Sequence, residues 1–136
     1  MTVTLDPGVV IDCAGSPLDL TQPQVMGILN ITPDSFSDGG QPLHDGGIDT
    51  DTLCRRAEAM VVAGARILDI GGESTRPGAA PVSEQEELDR VLGALSVLIP
   101  RVEAIYSVDT SSPDVMKHSA ALGVGLINDV RALSRP

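Results

Sequence analysis

The sequence predicts an α/β fold of the TIM-type (β/α)8 barrel class, represented by roughly its first four βα units behind a short extended or hairpin lead-in. Short apolar runs alternate with amphipathic stretches of helical period in the order β-α-β-α-β-α-β. Connections of helical length between strands imply a parallel sheet with crossover helices. Polar residues close all four apolar runs: Asn30, Asp69, Asp109 and Asn128. A doubly wound sheet binds ligands only where its strand order reverses. In a barrel every strand end faces one mouth, so four polar ends in succession favour the barrel. No Gly-x-Gly-x-x-Gly follows a strand, and there is no Walker-type loop with its Lys. A closed barrel takes eight strands and typically ~250 residues. The 136 residues are therefore expected to hold a truncated half: a lead-in over 1–24, then the first half of the barrel over 25–136.

The lead-in carries the apolar pieces Val9-Val10-Ile11 and Leu18-Asp19-Leu20, separated by Gly15-Ser16-Pro17. That punctuation suits a hairpin, placed to cover the bottom of a barrel. Val25 to Asn30 reads as a strand buried on both faces. A polar loop to about Asp49 precedes a helix over roughly 51–63, with Leu53, Ala57, Met60 and Val61 on one stripe and Gly64 as its left-handed cap. The second strand is Arg66 to Ile70, followed by the loop Gly71 to Pro81. Ser83 and Glu86 fit a capping box, and Glu84 and Glu87 favour the same positive helix end. Leu88, Val91, Leu92, Leu95, Leu98 and Ile99 form the buried stripe of this helix, and Pro100 stops it. The third strand is expected over about 103–108. Ser112-Pro113 opens a helix reaching Leu122, with Gly123 as its C-cap. The fourth strand is expected from Val124 to Ile127, ending in Asn128-Asp129.

Composition narrows the function. Hydrophobic residues make up 42% of the chain, enough for a real core, but Phe36 and Tyr106 are the only aromatic residues. The core must rest on Val, Ile, Leu, Met and Ala. A formal charge of −10 argues against a general nucleic-acid binder. No apolar run approaches the ~20 residues that span a bilayer, and residues 1–24 lack signal-peptide character. Cys13 and Cys54 stand in unrelated contexts and are expected as free thiols in a reducing cytoplasm.

Asn30 suits a ligand to a hard metal ion, a phosphate contact, or a cap for its own loop. The loop from Thr32 to Gly40 holds Phe36 among polar residues and ends in glycines, as a lid over a ligand does; a surface turn with Phe36 on the rim is the plainer alternative. Asp69, among Ile67, Leu68 and Ile70, must be paired if buried, either in an internal ion pair or by the N–H groups of a flat heterocycle. Gly71 to Gly78 brings together backbone N–H groups, Ser74, Thr75 and Arg76, the parts of an oxyanion or aromatic-acid site. A solvated Arg76 is the alternative, and Glu73 suits a pair with it. Asp109 and Asn128 face the same mouth and suit one ligand edge. His44 and His118, the latter mid-helix, make no metal pair, and no Ser-His-Asp or Cys-His arrangement supports covalent catalysis.

Met26-Gly27-Ile28-Leu29-Asn30-Ile31-Thr32-Pro33-Asp34-Ser35-Phe36-Ser37-Asp38-Gly39-Gly40 resembles the first signature of the dihydropteroate synthase family, and Asp69 to Gly78 resembles the second. Ser107-Val108-Asp109-Thr110 and Ile127-Asn128-Asp129 resemble its third and fourth strand ends. The resemblance covers about residues 10–136. It implies condensation of 6-hydroxymethyl-7,8-dihydropterin diphosphate with p-aminobenzoate, with Mg²⁺ as cofactor and a cytoplasmic homodimer as the full-length form. Asn30 is implied as the Mg²⁺ ligand, and Asp69, Asp109 and Asn128 as the pterin site. Phe36, Thr75, Arg76 and Pro77 are implied around p-aminobenzoate, with Asp38, Asp69 and Arg76 in catalytic roles. An inactive half-barrel acting by binding or assembly, or a folate-dependent methyltransferase-type barrel, fits the same cradle less well, because the two long loops match the synthase.

Overall fold

The computed structural model describes residues 8–32, 49–73, 78 and 81–134. The lead-in is a hairpin, in which β1 (Val10–Cys13) runs antiparallel to β2 (Ser16–Asp19). Its turn residues Ala14 and Gly15 have φ of 52° and 88°, the signs a two-residue hairpin turn of the primed type needs. The Asp12 carboxylate accepts from the Gly15 N–H at 2.7 Å. There follow β3 (Val25–Asn30), α1 (Thr50–Val62), β4 (Ala65–Gly71), α2 (Glu84–Leu98), β5 (Ile105–Asp109), α3 (Pro113–Ala121) and β6 (Leu126–Asn128).

Local chemistry sets the helix ends. Asp49 caps α1, accepting from the N–H groups of Asp51 and Thr52. Ser83 caps α2 through the Glu86 N–H, while the Glu86 carboxylate lies 3.8 Å from Arg90. Ser112 caps α3, with Pro113 in its first turn. Gly64 and Gly123 follow α1 and α3 at φ of 114° and 104°, a region that glycine enters without a steric penalty.

Strands β3, β4, β5 and β6 form one parallel sheet in chain order, with no reversal. All three helices pack on the same side of it. Leu53 and Ala57 of α1, Val91, Leu95 and Leu98 of α2, and Val115 of α3 share one core with Leu29, Leu68, Ile70, Tyr106 and Val108 of the strands. A doubly wound sheet places helices on both faces. Strand order and one-sided helices together make this a singly wound barrel wall.

Side chains of opposite parity point to the other face. At its lower end, Ile67 and Ile105 are covered by Cys13 and Leu18 of the hairpin, with Leu126 beside them. The hairpin thus floors the inner side of the wall, as expected. It comes closest at Gly125, where a Cβ would lie 2.6 Å from Cys13 Cβ and 2.8 Å from its carbonyl oxygen.

Three expectations shift. Val25–Asn30 is not buried on both faces: Met26 is 39% and Ile28 59% exposed, because β3 is an edge strand and the hairpin packs on β4, β5 and β6. β5 begins at Ile105 rather than 103, since the N–H groups of Arg101 and Val102 bond to Leu98 O and tie the approach to the end of α2. The regular part of β6 begins at Leu126, since the Val124 N–H bonds to Ser119 O and belongs to the exit from α3. Among the described residues no helix is long and apolar enough to cross a membrane.

Candidate active site

Parallel pairing aligns Asn30, Gly71, Asp109 and Asn128 in one row across the upper ends of the four strands. Two residues lower on each strand, Ile28, Asp69, Ser107 and Leu126 form a second row. A spacing of two keeps both rows on the inner face. This corrects one detail of the sequence reading: β4 ends at Gly71, and Asp69 sits one row below the mouth. A Cβ at Gly71 would meet Asn30 Oδ1 at 3.5 Å and Asp109 Cβ at 3.7 Å, so the upper row is in close contact there.

Asp69 is 2% exposed. Its Oδ2 accepts from Asn128 Nδ2 at 3.3 Å. Asp69 stands on β4 and Asn128 on β6, so this bond carries the carboxylate across β5. The other oxygen, Oδ1, has no hydrogen-bond partner among the described residues, and neither does Ser107 Oγ. Of the two sequence alternatives for Asp69, an internal ion pair is not what forms among the described residues; the observed partner is an amide. Asp109 is half-buried. Burial, reinforced by the charges of Asp69, Glu87, Asp129 and Glu73, raises its carboxyl above the ordinary range. The mouth therefore concentrates acceptors and negative charge, and it suits N–H donors or a cation.

A support layer holds this edge from behind. The buried Glu87 carboxylate accepts a short hydrogen bond from the Thr110 hydroxyl, and Thr110 Oγ1 accepts from the Ser112 N–H at 3.0 Å. Arg90 Nη1 donates to Gly72 O at 3.1 Å. A Cβ on Gly72 would lie 3.1 Å from Glu87 O and from Val91 Cγ2, so the end of β4 is seated directly on α2. Sequence reasoning treated Glu87 only as an acid in a first turn. A signal was present, since Glu87 lies four residues before Val91 on the buried stripe.

Asp129 serves its own turn. It accepts from the Ser111 hydroxyl and from the N–H groups of Arg131 and Leu133, and these bonds, led by Ser111, hold its carboxyl below the usual range. His118 is exposed on α3 with Nδ1 2.7 Å from Asp114 O. No group of three or more His, Cys, Asp or Glu able to hold a metal occurs among the described residues. Asn30 offers an exposed amide at the mouth. Phe36, Asp38, His44, Thr75, Arg76 and Pro77 lie outside the described residues.

These features define one wall of a singly wound α/β barrel whose mouth is lined by carboxylates and amides. Residues 26–136 match the pterin binding enzyme family, and the chain belongs to that family. It is similar to the dihydropteroate synthase of Escherichia coli (strain K12), 54% identical over 122 residues that cover 90% of this chain and 42% of that protein. Among solved structures, Xanthomonas albilineans dihydropteroate synthase with 4-aminobenzoic acid gives a TM-score of 0.83 at 46% identity, covering 93% of this chain and 45% of that one. The same organism's enzyme in complex with 7,8-dihydropteroate gives 0.78 at 42% identity, covering 93% and 44%. The chain spans less than half the length of these relatives.

Proposed function

We propose that the protein carrying this chain is a dihydropteroate synthase, joining 6-hydroxymethyl-7,8-dihydropterin diphosphate to p-aminobenzoate with release of diphosphate. The observation that best supports this reading is the two-row constellation, with Asp109 beside Asn128 at the mouth and Asp69 hydrogen-bonded to Asn128 from the row below. Two carboxylates and an amide match a pterin edge, which alternates N–H donors with ring acceptors. The same negative charge opposes a diphosphate, so the leaving group calls for cations. In this reading Arg76 supplies one.

Mg²⁺ would supply the other. Asn30 fits as one of its ligands: an amide oxygen is a hard donor, it stands at the mouth, and Mg²⁺ usually keeps water and phosphate oxygens in its remaining positions. When bound, Mg²⁺ neutralises charge on the leaving diphosphate. The arylamine lone pair forms a C–N bond to the exocyclic methylene of the pterin. The C–O bond breaks with its electron pair leaving on diphosphate, and the amine proton passes to solvent. We assign Asp38 and Asp69 to stabilising the positive charge that builds at the methylene. We assign Phe36, Thr75, Arg76 and Pro77 to the p-aminobenzoate site. An arylamine is already nucleophilic at neutral pH, so no Ser or Cys is recruited. We take the working form to be a cytoplasmic homodimer.

The test is a diphosphate-release assay on the full-length protein. Release that requires both substrates, with 7,8-dihydropteroate formed in equal amount, is the expected result. Pterin binding without release would instead indicate a binding-only paralogue.

A further inference from the structure

Two orphaned polar atoms share one row of the inner face. Asp69 Oδ1 and Ser107 Oγ are both without a hydrogen-bond partner among the described residues, and their residues are 2% and 1% exposed. Buried polar atoms are nearly always paired, so each exception calls for a physical reason. Here the two are complementary: a hydroxyl donor and a carboxylate acceptor. They are register partners on adjacent parallel strands, where backbones lie about 4.8 Å apart.

The direction of the Asp69 side chain strengthens the case. To reach Asn128 Nδ2 it must cross β5, and the inner-face residues of β5 along that path are Ser107 and Asp109. Ionised Asp109 is a like charge and repels Asp69. Ser107 is the group on that path able to donate.

We propose that Ser107 is a positioning residue for Asp69: as a pterin seats, a turn about χ1 brings the Ser107 hydroxyl onto Asp69 Oδ1. The carboxylate is then fixed between Asn128 on Oδ2 and Ser107 on Oδ1, and its plane is set for the ligand. The inference rests on the pterin-site reading above. Because the bond is absent from the free site, its worth appears in ligand affinity and not in the stability of the free protein.

The experiment uses the full-length protein as wild type, Ser107→Ala and Ser107→Cys. Binding of 6-hydroxymethyl-7,8-dihydropterin diphosphate without p-aminobenzoate is measured by calorimetry, beside the melting temperature of the free protein. Ser107→Ala should bind roughly ten-fold more weakly, the low end for a hydrogen bond to a charged group. Its free melting temperature should be unchanged or higher, since an unpaired buried hydroxyl is removed, and the KM for p-aminobenzoate should not move. Ser107→Cys keeps the shape with a weaker donor and should fall between, deciding the matter if the Ala variant does not fold. Undiminished affinity in both variants overturns the proposal. So does a fall in free melting temperature that tracks the loss of affinity, which marks a structural role. A wild type that fails to bind the pterin overturns the function reading itself, and this inference with it.

Discussion

The floor of the barrel wall depends on Gly125 having no side chain, and Gly125→Ala measures that dependence. Its φ is not in the positive range, so the substitution tests contact rather than backbone strain. The added Cβ would lie 2.6 Å from Cys13 Cβ, 2.7 Å from its carbonyl carbon and 2.8 Å from its carbonyl oxygen. Two of those atoms are backbone, so no rotamer change relieves them. Restoring ordinary contact at about 3.4 Å requires the hairpin to move by roughly 0.8 Å. Accepting the overlap costs about 1–3 kcal/mol in strain. Lifting the hairpin gives up part of the burial of Cys13 and Leu18, where fully burying one leucine contributes about 1.5–3 kcal/mol. The two costs are of the same order, so we expect partial lifting and a loss of about 2 kcal/mol. Urea unfolding of the full-length protein reads the loss. Thiol labelling reads the movement, because Cys13 is buried against the sheet and burial raises its pKa. Cys13 should label faster in the variant, while Cys54, in the helix-side core, should not change. An unchanged urea midpoint with an unchanged Cys13 rate would refute the close-approach argument.

The upper rows make further claims. Burial and neighbouring carboxylates raise the pKa of Asp109 above the ordinary value of 3.8, so its contribution to stability is fully present below that value and is lost as pH rises through the folded-state pKa. Asp109→Asn should therefore melt higher than wild type at pH 7, with the difference vanishing below about pH 4, while pterin binding is lost; equal melting temperatures at pH 7 would count against the crowded-carboxylate picture. Thr110→Val removes the donor to Glu87 and the acceptor for the Ser112 N–H. It should cost about 2–3 kcal/mol in urea unfolding, and a loss below about 0.5 kcal/mol would show that Glu87 does not need Thr110. Asn30→Ala should raise the Mg²⁺ concentration for half-maximal diphosphate release by roughly ten-fold or more, and an unchanged metal dependence would remove Asn30 from that role.

Much of this wall was legible because its signals are local. Ser83, Ser112-Pro113, Gly64 and Gly123 each act within a turn of where they stand, and the helices begin and end accordingly. The polar positions near the strand ends were legible too, since a charged residue inside an apolar run has few structural uses. Their relative depth was not. Asp69 and Asp109 look alike in sequence, and only the pairing of Gly71 with Asp109 places Asp69 one row below. Long-range contacts were equally silent. Nothing near Gly125 reveals that a hairpin more than a hundred residues earlier would rest on it, and the Thr110–Glu87 bond joins elements that sequence periodicity treats separately.

Support and function differ in how their polar groups are satisfied, although Ser119 Oγ, buried on α3, also lacks a partner among the described residues. Behind the mouth, Arg90 and Thr110 both find partners, with α2 anchoring the ends of β4 and β5. Inside it, Asp69 Oδ1 and Ser107 Oγ are without partners among the described residues, and Asp109 is held where its charge is disfavoured. A wall selected only for stability would reverse that arrangement, because buried unpaired acceptors and crowded carboxylates cost free energy. Such a cost is retained where a ligand relieves it. In the pterin-site reading, a flat, N–H-rich ring would satisfy the carboxylate oxygens and separate the like charges of the two rows.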